Sequence, residues 1–109
     1  MKKLHLTAAF LILAGNASPV MAYTTTPAGK ITSYSIGWDN PNLSVQMNIP
    51  VSNPDNCSDA SSYMMSYTST SIQAVTSVVI TAHATGSDVK LVLNGCVQNR
   101  PQIVGINVV

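Results

Sequence analysis

The groups in this sequence that could do chemistry are few. Its four acidic residues are all aspartates, Asp39, Asp55, Asp59 and Asp88, each in or beside turn-forming residues. Glycoside hydrolysis needs two carboxyls held on a rigid cleft, and Asp55 and Asp59 read instead as solvated loop residues. A Ser-His-Asp site would have to use His83, the only histidine past residue 22. No Gly-x-Ser-x-Gly elbow accompanies it. At the end of a helix a histidine needs no further role than meeting the helix dipole. One histidine without a free thiol builds a three-ligand zinc site only with two aspartates. A glycine-rich phosphate loop is missing too. The expectation is a protein that is not an enzyme and uses no metal or cofactor.

Cys57 and Cys96 are the only cysteines. No Cys-x-x-Cys or Cys/His ligand spacing points to redox or metal work. In an exported chain the pair reads as a disulfide. It would close a loop of about 40 residues and contribute roughly 4 kcal/mol.

Binding chemistry is better represented. Gln98-Asn99-Arg100 is a run of amide and guanidinium groups. Tyr34, Trp38, Tyr63 and Tyr67 could stack on a sugar or serve as core and rim of a sheet. Trp38 is expected in the core or on a half-buried rim, since it alternates onto one face with Tyr34 and Ile36. The 109 residues carry a net charge of +1 and only 8% charged residues, against about 25% in ordinary globular chains. No basic cluster is available to neutralise phosphates, so a nucleic-acid partner is excluded. Hydrophobic residues at 46% exclude a disordered chain. Solubility rests on Ser, Thr and Asn, groups that hydrogen-bond neutral partners such as sugars and are also ordinary strand and turn residues.

Residues 1–22 read as a secretory signal peptide. Lys2 and Lys3 form the positive region, and Leu4 to Gly15 the apolar one, too short to span a bilayer. Pro19 breaks the helix, and Val20-Met21-Ala22 places small residues for cleavage before Tyr23. The style is bacterial, so a secreted or periplasmic location is expected, with no membrane span in the mature protein. Residues 23–109 are left as a single domain.

Residues 23–29 form a polar lead-in, read as mobile. Residues 30–38 alternate as a strand. Asp39-Asn40-Pro41-Asn42 is a turn, and Leu43, Val45, Met47 and Ile49 alternate in a second strand paired to the first as a hairpin. Residues 50–62 hold two prolines among Asn, Asp and Ser and cannot be regular. Residues 63–68 suggest a short third strand. Residues 69–85 fit both periodicities, but their length favours a helix that buries Ile72, Val75, Val79 and Ala82, with Ser69, Thr70 or Ser71 as cap and Gly86 as stop. Val89, Leu91 and Leu93 mark another strand, ending at Asn94-Gly95-Cys96. Residues 98–101 are a loop, and Val104, Ile106 and Val108 alternate in the last strand. The order β-β-(β)-α-β-β fits a small α+β domain, or an OB-like antiparallel β-barrel or sheet with one helix and one disulfide.

The segment from Ile72 to Val108 resembles the B subunits of bacterial AB5 toxins, of the cholera type and the subtilase- and pertussis-like cytotoxin groups. The resemblance is carried by the helix running into Thr81-Ala82-His83-Ala84-Thr85-Gly86, the strand Val89-Lys90-Leu91-Val92-Leu93, and the stretch Cys96-Val97-Gln98-Asn99-Arg100-Pro101-Gln102-Ile103-Val104-Gly105-Ile106. It implies an OB-like fold, a ring-shaped homopentamer with helices around a channel, an exported enzymatic subunit as partner, and a cell-surface glycan as ligand held by Gln98, Asn99 and Arg100. Gln98 stands where the cholera-type site has its aromatic platform. The functional expectation is an exported, non-catalytic, glycan-binding module. The alternative is a monomeric periplasmic or secreted accessory or inhibitor protein.

Overall fold

A computed structural model describes residues 22–37 and 39–109. The signal peptide expected over residues 1–22 thus lies outside the described residues, save Ala22, and so does Trp38 with its expected place in the core or on a half-buried rim. The described chain is a small α+β domain with a six-stranded mixed sheet, one helix and one disulfide. Its elements are β1 (Thr24–Thr25), β2 (Gly29–Ile36), β3 (Leu43–Met47), β4 (Tyr63–Met65), α1 (Ile72–Thr85), β5 (Asp88–Val97) and β6 (Arg100–Val108). Among the described residues no helix is long and apolar enough to cross a membrane.

The expected hairpin forms, with β2 antiparallel to β3 from Ile36↔Leu43 to Ile31↔Met47. Strand β3 pairs antiparallel with β4, and β5 with both β2 and β6. One pairing departs from the antiparallel expectation. β4 runs parallel to β6 at Met64↔Gln102, because α1 and β5 intervene and bring the chain back in the direction of β4. The pairings from β2 through β3, β4, β6 and β5 return to β2.

The lead-in is not the mobile segment expected. Thr24 and Thr25 pair with Leu93 and Val92 as an added strand on β5. Thr26 is buried, its N–H donating to the Leu91 carbonyl at 2.9 Å and its Oγ1 accepting the Leu91 N–H at 3.0 Å. A short threonine run has no hydrophobic alternation to announce a strand, yet it satisfies an open ladder edge.

Alternation inside the strands is interrupted where registers shift. In β2 the shift lies between Ile31 and Ser33, so Ile31 is buried while Tyr34, three residues on, also packs on the core. In β6 the pairing passes from Ile103 to Gly105 across one residue, Val104. Hence Ile103 is buried before the bulge and Ile106 packs on the core beyond it; Val108, on the same face as Ile106, is exposed at the end of the strand. Each bulge adds one residue to one strand and flips the faces beyond it.

The helix begins at Ile72, three residues later than expected, because residues 66–71 form turns. Ser71 is the N-cap but makes no side-chain capping bond. Gly86 stops the helix with φ 66°, and the N–H groups of Gly86 and Ser87 both reach the Ala82 carbonyl, the arrangement that glycine permits at a helix end. Val75, Val79 and Ala82 are buried, as the periodicity predicts, in one core cluster with Ile31, Leu43, Val45, Tyr63, Met65, Leu91 and Ile103. Burying a valine fully contributes roughly 1.5–3 kcal/mol.

Cys57 and Cys96 form the expected disulfide, with 5.8 Å between Cα atoms, a linkage compatible with an oxidising extracellular or periplasmic environment. Cys96→Ser should lower unfolding stability by about 2–5 kcal/mol in denaturant titration. Thr26→Val keeps the shape but strips the Leu91 N–H of its side-chain acceptor. It should cost about 1–3 kcal/mol, measured the same way, and a silent substitution would mean that the bond between Thr26 Oγ1 and the Leu91 N–H contributes nothing to stability.

Candidate functional site

The β5–β6 connection is tighter than the expected four-residue loop. Val97 pairs with Arg100, so Gln98 and Asn99 alone make the turn, with φ of 48° and 67°. Two successive positive φ values suit a two-residue hairpin turn and match the right-handed strand twist. Asparagine tolerates this conformation, and glutamine adopts it at some cost. Gly95, with φ 76°, lies where β5 gains an extra residue between Leu93 and Cys96.

That turn faces the β2–β3 connection across a cleft of about 420 Å³. Asp39, Asn40 and Asn42 line it from the β2–β3 side, Gln98 and Arg100 from the β5–β6 side, and Ser35, Ser44 and Met64 from strands β2, β3 and β4. Of the three residues expected to bind, Gln98 and Arg100 thus lie together on one cleft. The Asn99 side chain does not line it. Asn99 is exposed, and its contribution is a backbone carbonyl that accepts the Asp59 N–H at 2.8 Å.

The β2–β3 connection is built by its own side chains. Asn40 Oδ1 accepts the Asn42 N–H at 3.1 Å, the asparagine turn that its sequence suits. Asp39 takes φ 70°. Asn42 is buried, with Oδ1 accepting the Tyr67 N–H at 2.8 Å and Nδ2 set against Met64 Sδ at 3.6 Å. A buried amide held at both ends is a rigid wall. These residues read in the sequence as a turn and nothing more. The available signal was that the turn, like Gln98–Arg100, is rich in amides and carries a charge.

Arg100 is half-buried. Its Nη2 lies 3.3 Å from Asp59 Oδ2, and its Nη1 donates to the Gln98 carbonyl at 3.5 Å. Its Nε is buried without a partner among the described residues. Asp59 is the partly exposed loop residue expected, and it is hydrogen-bonded as well. Its Oδ1 accepts the Ser61 hydroxyl at 2.6 Å and the Ser61 N–H at 3.0 Å. Asp55 is likewise engaged, accepting the Gly95 N–H at 2.8 Å. Both aspartates flank Cys57, whose N–H and carbonyl are bracketed by the Asn53 side chain at 2.8 and 2.9 Å. The irregular segment 50–62 is therefore fastened to the β5–β6 hairpin at the disulfide, at Gly95, at Asn99 and at Arg100.

The aromatic residues divide. Tyr63 is fully buried, its hydroxyl accepting the Ser52 N–H at 2.7 Å, so it offers no stacking face. Tyr34 is half-buried and meets His83 edge-on, 5.4 Å between ring centres. His83 is exposed in the last turn of α1 and does not line the cleft. Tyr67 is exposed, and its backbone is bonded to the cleft residue Asn42. No group of three or more metal-ligating side chains occurs among the described residues.

The Ser61 hydroxyl, then the Ser61 N–H, hold the Asp59 carboxyl below its ordinary value of 3.8; the Arg100 charge adds to this, and partial burial opposes it. The ionised form is favoured in the fold. Its contribution is complete above the unfolded carboxyl's pKa and is lost as pH falls through the depressed folded value. Thermal melts taken downward from about pH 5 should show stability beginning to fall near pH 4. Asp59→Asn should flatten that fall, and equal slopes for parent and variant would remove Asp59 from the account. The chain matches no protein-family model, no curated protein and no solved structure.

Proposed function

We propose that this chain is an exported, non-catalytic binding module that holds a glycan in the cleft between its β2–β3 and β5–β6 connections. The observation that carries the reading is the lining itself. Asn40 and Gln98 offer amides, Ser35 and Ser44 hydroxyls, Met64 a thioether surface, and the buried Asn42 a wall fixed by its own bonds. Amides and hydroxyls both donate and accept, as the hydroxyls of a sugar require. A polarizable apolar group beside them suits a sugar's C–H face. A cavity of about 420 Å³ falls in the range that takes a small ligand. The titratable groups lining it are one carboxylate, Asp39, and one guanidinium, Arg100, which favours binding over hydrolysis by paired carboxyls.

The same reading takes the fold as an OB-like barrel. In its support, five strands pair in a cycle, the helix lies between the third and fourth of them, and one pair is parallel. In such barrels the loops joining the first to the second strand and the fourth to the fifth bind oligosaccharides and oligonucleotides. Those are the two connections that line this cleft.

Export to the periplasm or beyond a bacterial cell, through the leader in residues 1–22, belongs to this proposal. So does assembly into a ring, a homopentamer with an exported enzymatic subunit as partner. The outward face of α1 supports close approach between copies, since Gln73, Thr76 and Ser77 are uncharged and Ile80 is exposed beside them. A ring would present one cleft per copy and raise weak contacts by roughly 10²–10⁴-fold through avidity.

Light scattering should give the mass of a pentamer, and a glycan array should show binding. A monomer mass with no array signal would favour the accessory or inhibitor alternative. On a positive glycan, Ser35→Ala with Gln98→Ala removes two hydrogen-bonding groups and should weaken binding about tenfold. Asn99→Ala should leave binding unchanged, and the opposite ranking would move the site off the cleft.

A further inference from the structure

The chemistry of the cleft narrows its ligand further, on the premise that the cleft binds glycans as proposed. An arginine ordinarily takes a carboxylate through two nitrogens of its planar fork. Arg100 is the one cation lining the cleft, so it is the group through which an acidic ligand would be held. Every two-nitrogen edge of a guanidinium includes either Nε or the second terminal nitrogen. In Arg100 the Nε is buried, and Nη2 is 3.3 Å from Asp59 Oδ2. Nη1 donates to the Gln98 carbonyl at 3.5 Å, so both nitrogens of the terminal edge already have a partner and the other edge ends in the buried Nε.

Asp59 is also poorly placed to step aside. Its other carboxylate oxygen is bonded to the hydroxyl and N–H of Ser61, its own N–H to the Asn99 carbonyl, and Cys57, two residues earlier, is bonded to Cys96. Meanwhile Asp39 lines the opposite wall with no ion-pair partner among the described residues. The formal charge of Arg100 with these two aspartates is negative by one.

We infer that Asp59 sets the ligand preference of the cleft: by occupying the Arg100 guanidinium, and with Asp39 facing it, it admits uncharged glycans and rejects carboxylate-bearing ones. Asp59 touches no ligand in this account; it is a positioning residue acting through Arg100. Such discrimination is built from repulsion as much as attraction, since a second carboxylate brought to an already paired arginine meets like charge.

The probe set is glucose- and galactose-terminated glycans beside their glucuronate and galacturonate counterparts, which differ only in a carboxylate for the terminal hydroxymethyl. The parent protein should bind a neutral probe at least about tenfold more tightly than its acidic counterpart, and Asp59→Asn should shrink that ratio at least about fivefold. The ratio separates the proposal from a merely structural role, because a loosened fold would weaken both members of a pair alike. Asp39→Asn, which keeps a residue suited to positive φ, should shrink the ratio too. It carries the test if Asp59→Asn fails to melt cooperatively. A parent that prefers the acidic probe, or variants with an unchanged ratio, would overturn the inference and leave the glycan-binding reading standing. Binding to none of the probes, together with silence on a wider array, would overturn that reading and this inference with it.

Discussion

The irregular segment 50–62 has no ladder of its own, and its position depends on its attachment to the β5–β6 hairpin. The Cys57–Cys96 bond fixes one point, and the Asp55–Gly95, Asp59–Asn99 and Asp59–Arg100 contacts fix the rest. The cross-link acts on the unfolded chain by restricting it. It acts on the native state by holding Asp59 where Arg100 can meet it. Since the Asp59 carboxylate is 39% exposed, water screens that ion pair and its own contribution to stability is small. Its effect is on the direction of the Arg100 side chain, and hence on one wall of the cleft.

The strand pairings impose a second constraint. Strands of a few residues hold together weakly alone, and β4 has only three residues. Every residue of β4 is buried, because β3 lies on one side, β6 on the other, and the core lies beneath. The bulges in β2, β5 and β6 let this small sheet bend around Val75, Val79 and Ala82 of the helix. The same irregularities bear on the placement of the cleft, since the extra residue at Gly95 precedes its hairpin turn by only two paired residues, Cys96 and Val97.

A domain with so few charges must use the ones it has with little redundancy. Lys30 bonds both Asp88 and the Gly86 carbonyl, tying β2 to the end of the helix. Arg100 and Asp59 tie the hairpin to the irregular segment. Most remaining polar contacts are amides and hydroxyls closing on nearby backbone, as at Asn40, Asn53 and Ser61. The surface left to a partner is mostly neutral, which suits a ligand bound by many hydrogen bonds and no ion.

Much of this was legible in the order of residues. The β3 alternation Leu43-Ser44-Val45, the Val75–Val79–Ala82 stripe, the Gly86 stop and the Cys57–Cys96 pair all follow from local periodicity, glycine geometry and cysteine count. Gln98 and Arg100 were identifiable as a cluster of hydrogen-bonding groups. Three features were not. The lead-in strand at Thr24–Thr25 exists because β5 has an edge to pair, and the inward turn of Ile103 and Ile106 depends on a bulge that no alternation encodes. The cleft joins Asn42 to Gln98, and an ion pair joins Asp59 to Arg100, across long separations in sequence. Side-chain type and spacing act over a few residues, whereas the partner of a strand edge, a carboxylate or a loop is chosen by closure of the whole sheet; only tertiary structure decides which of four aspartates meets the one arginine.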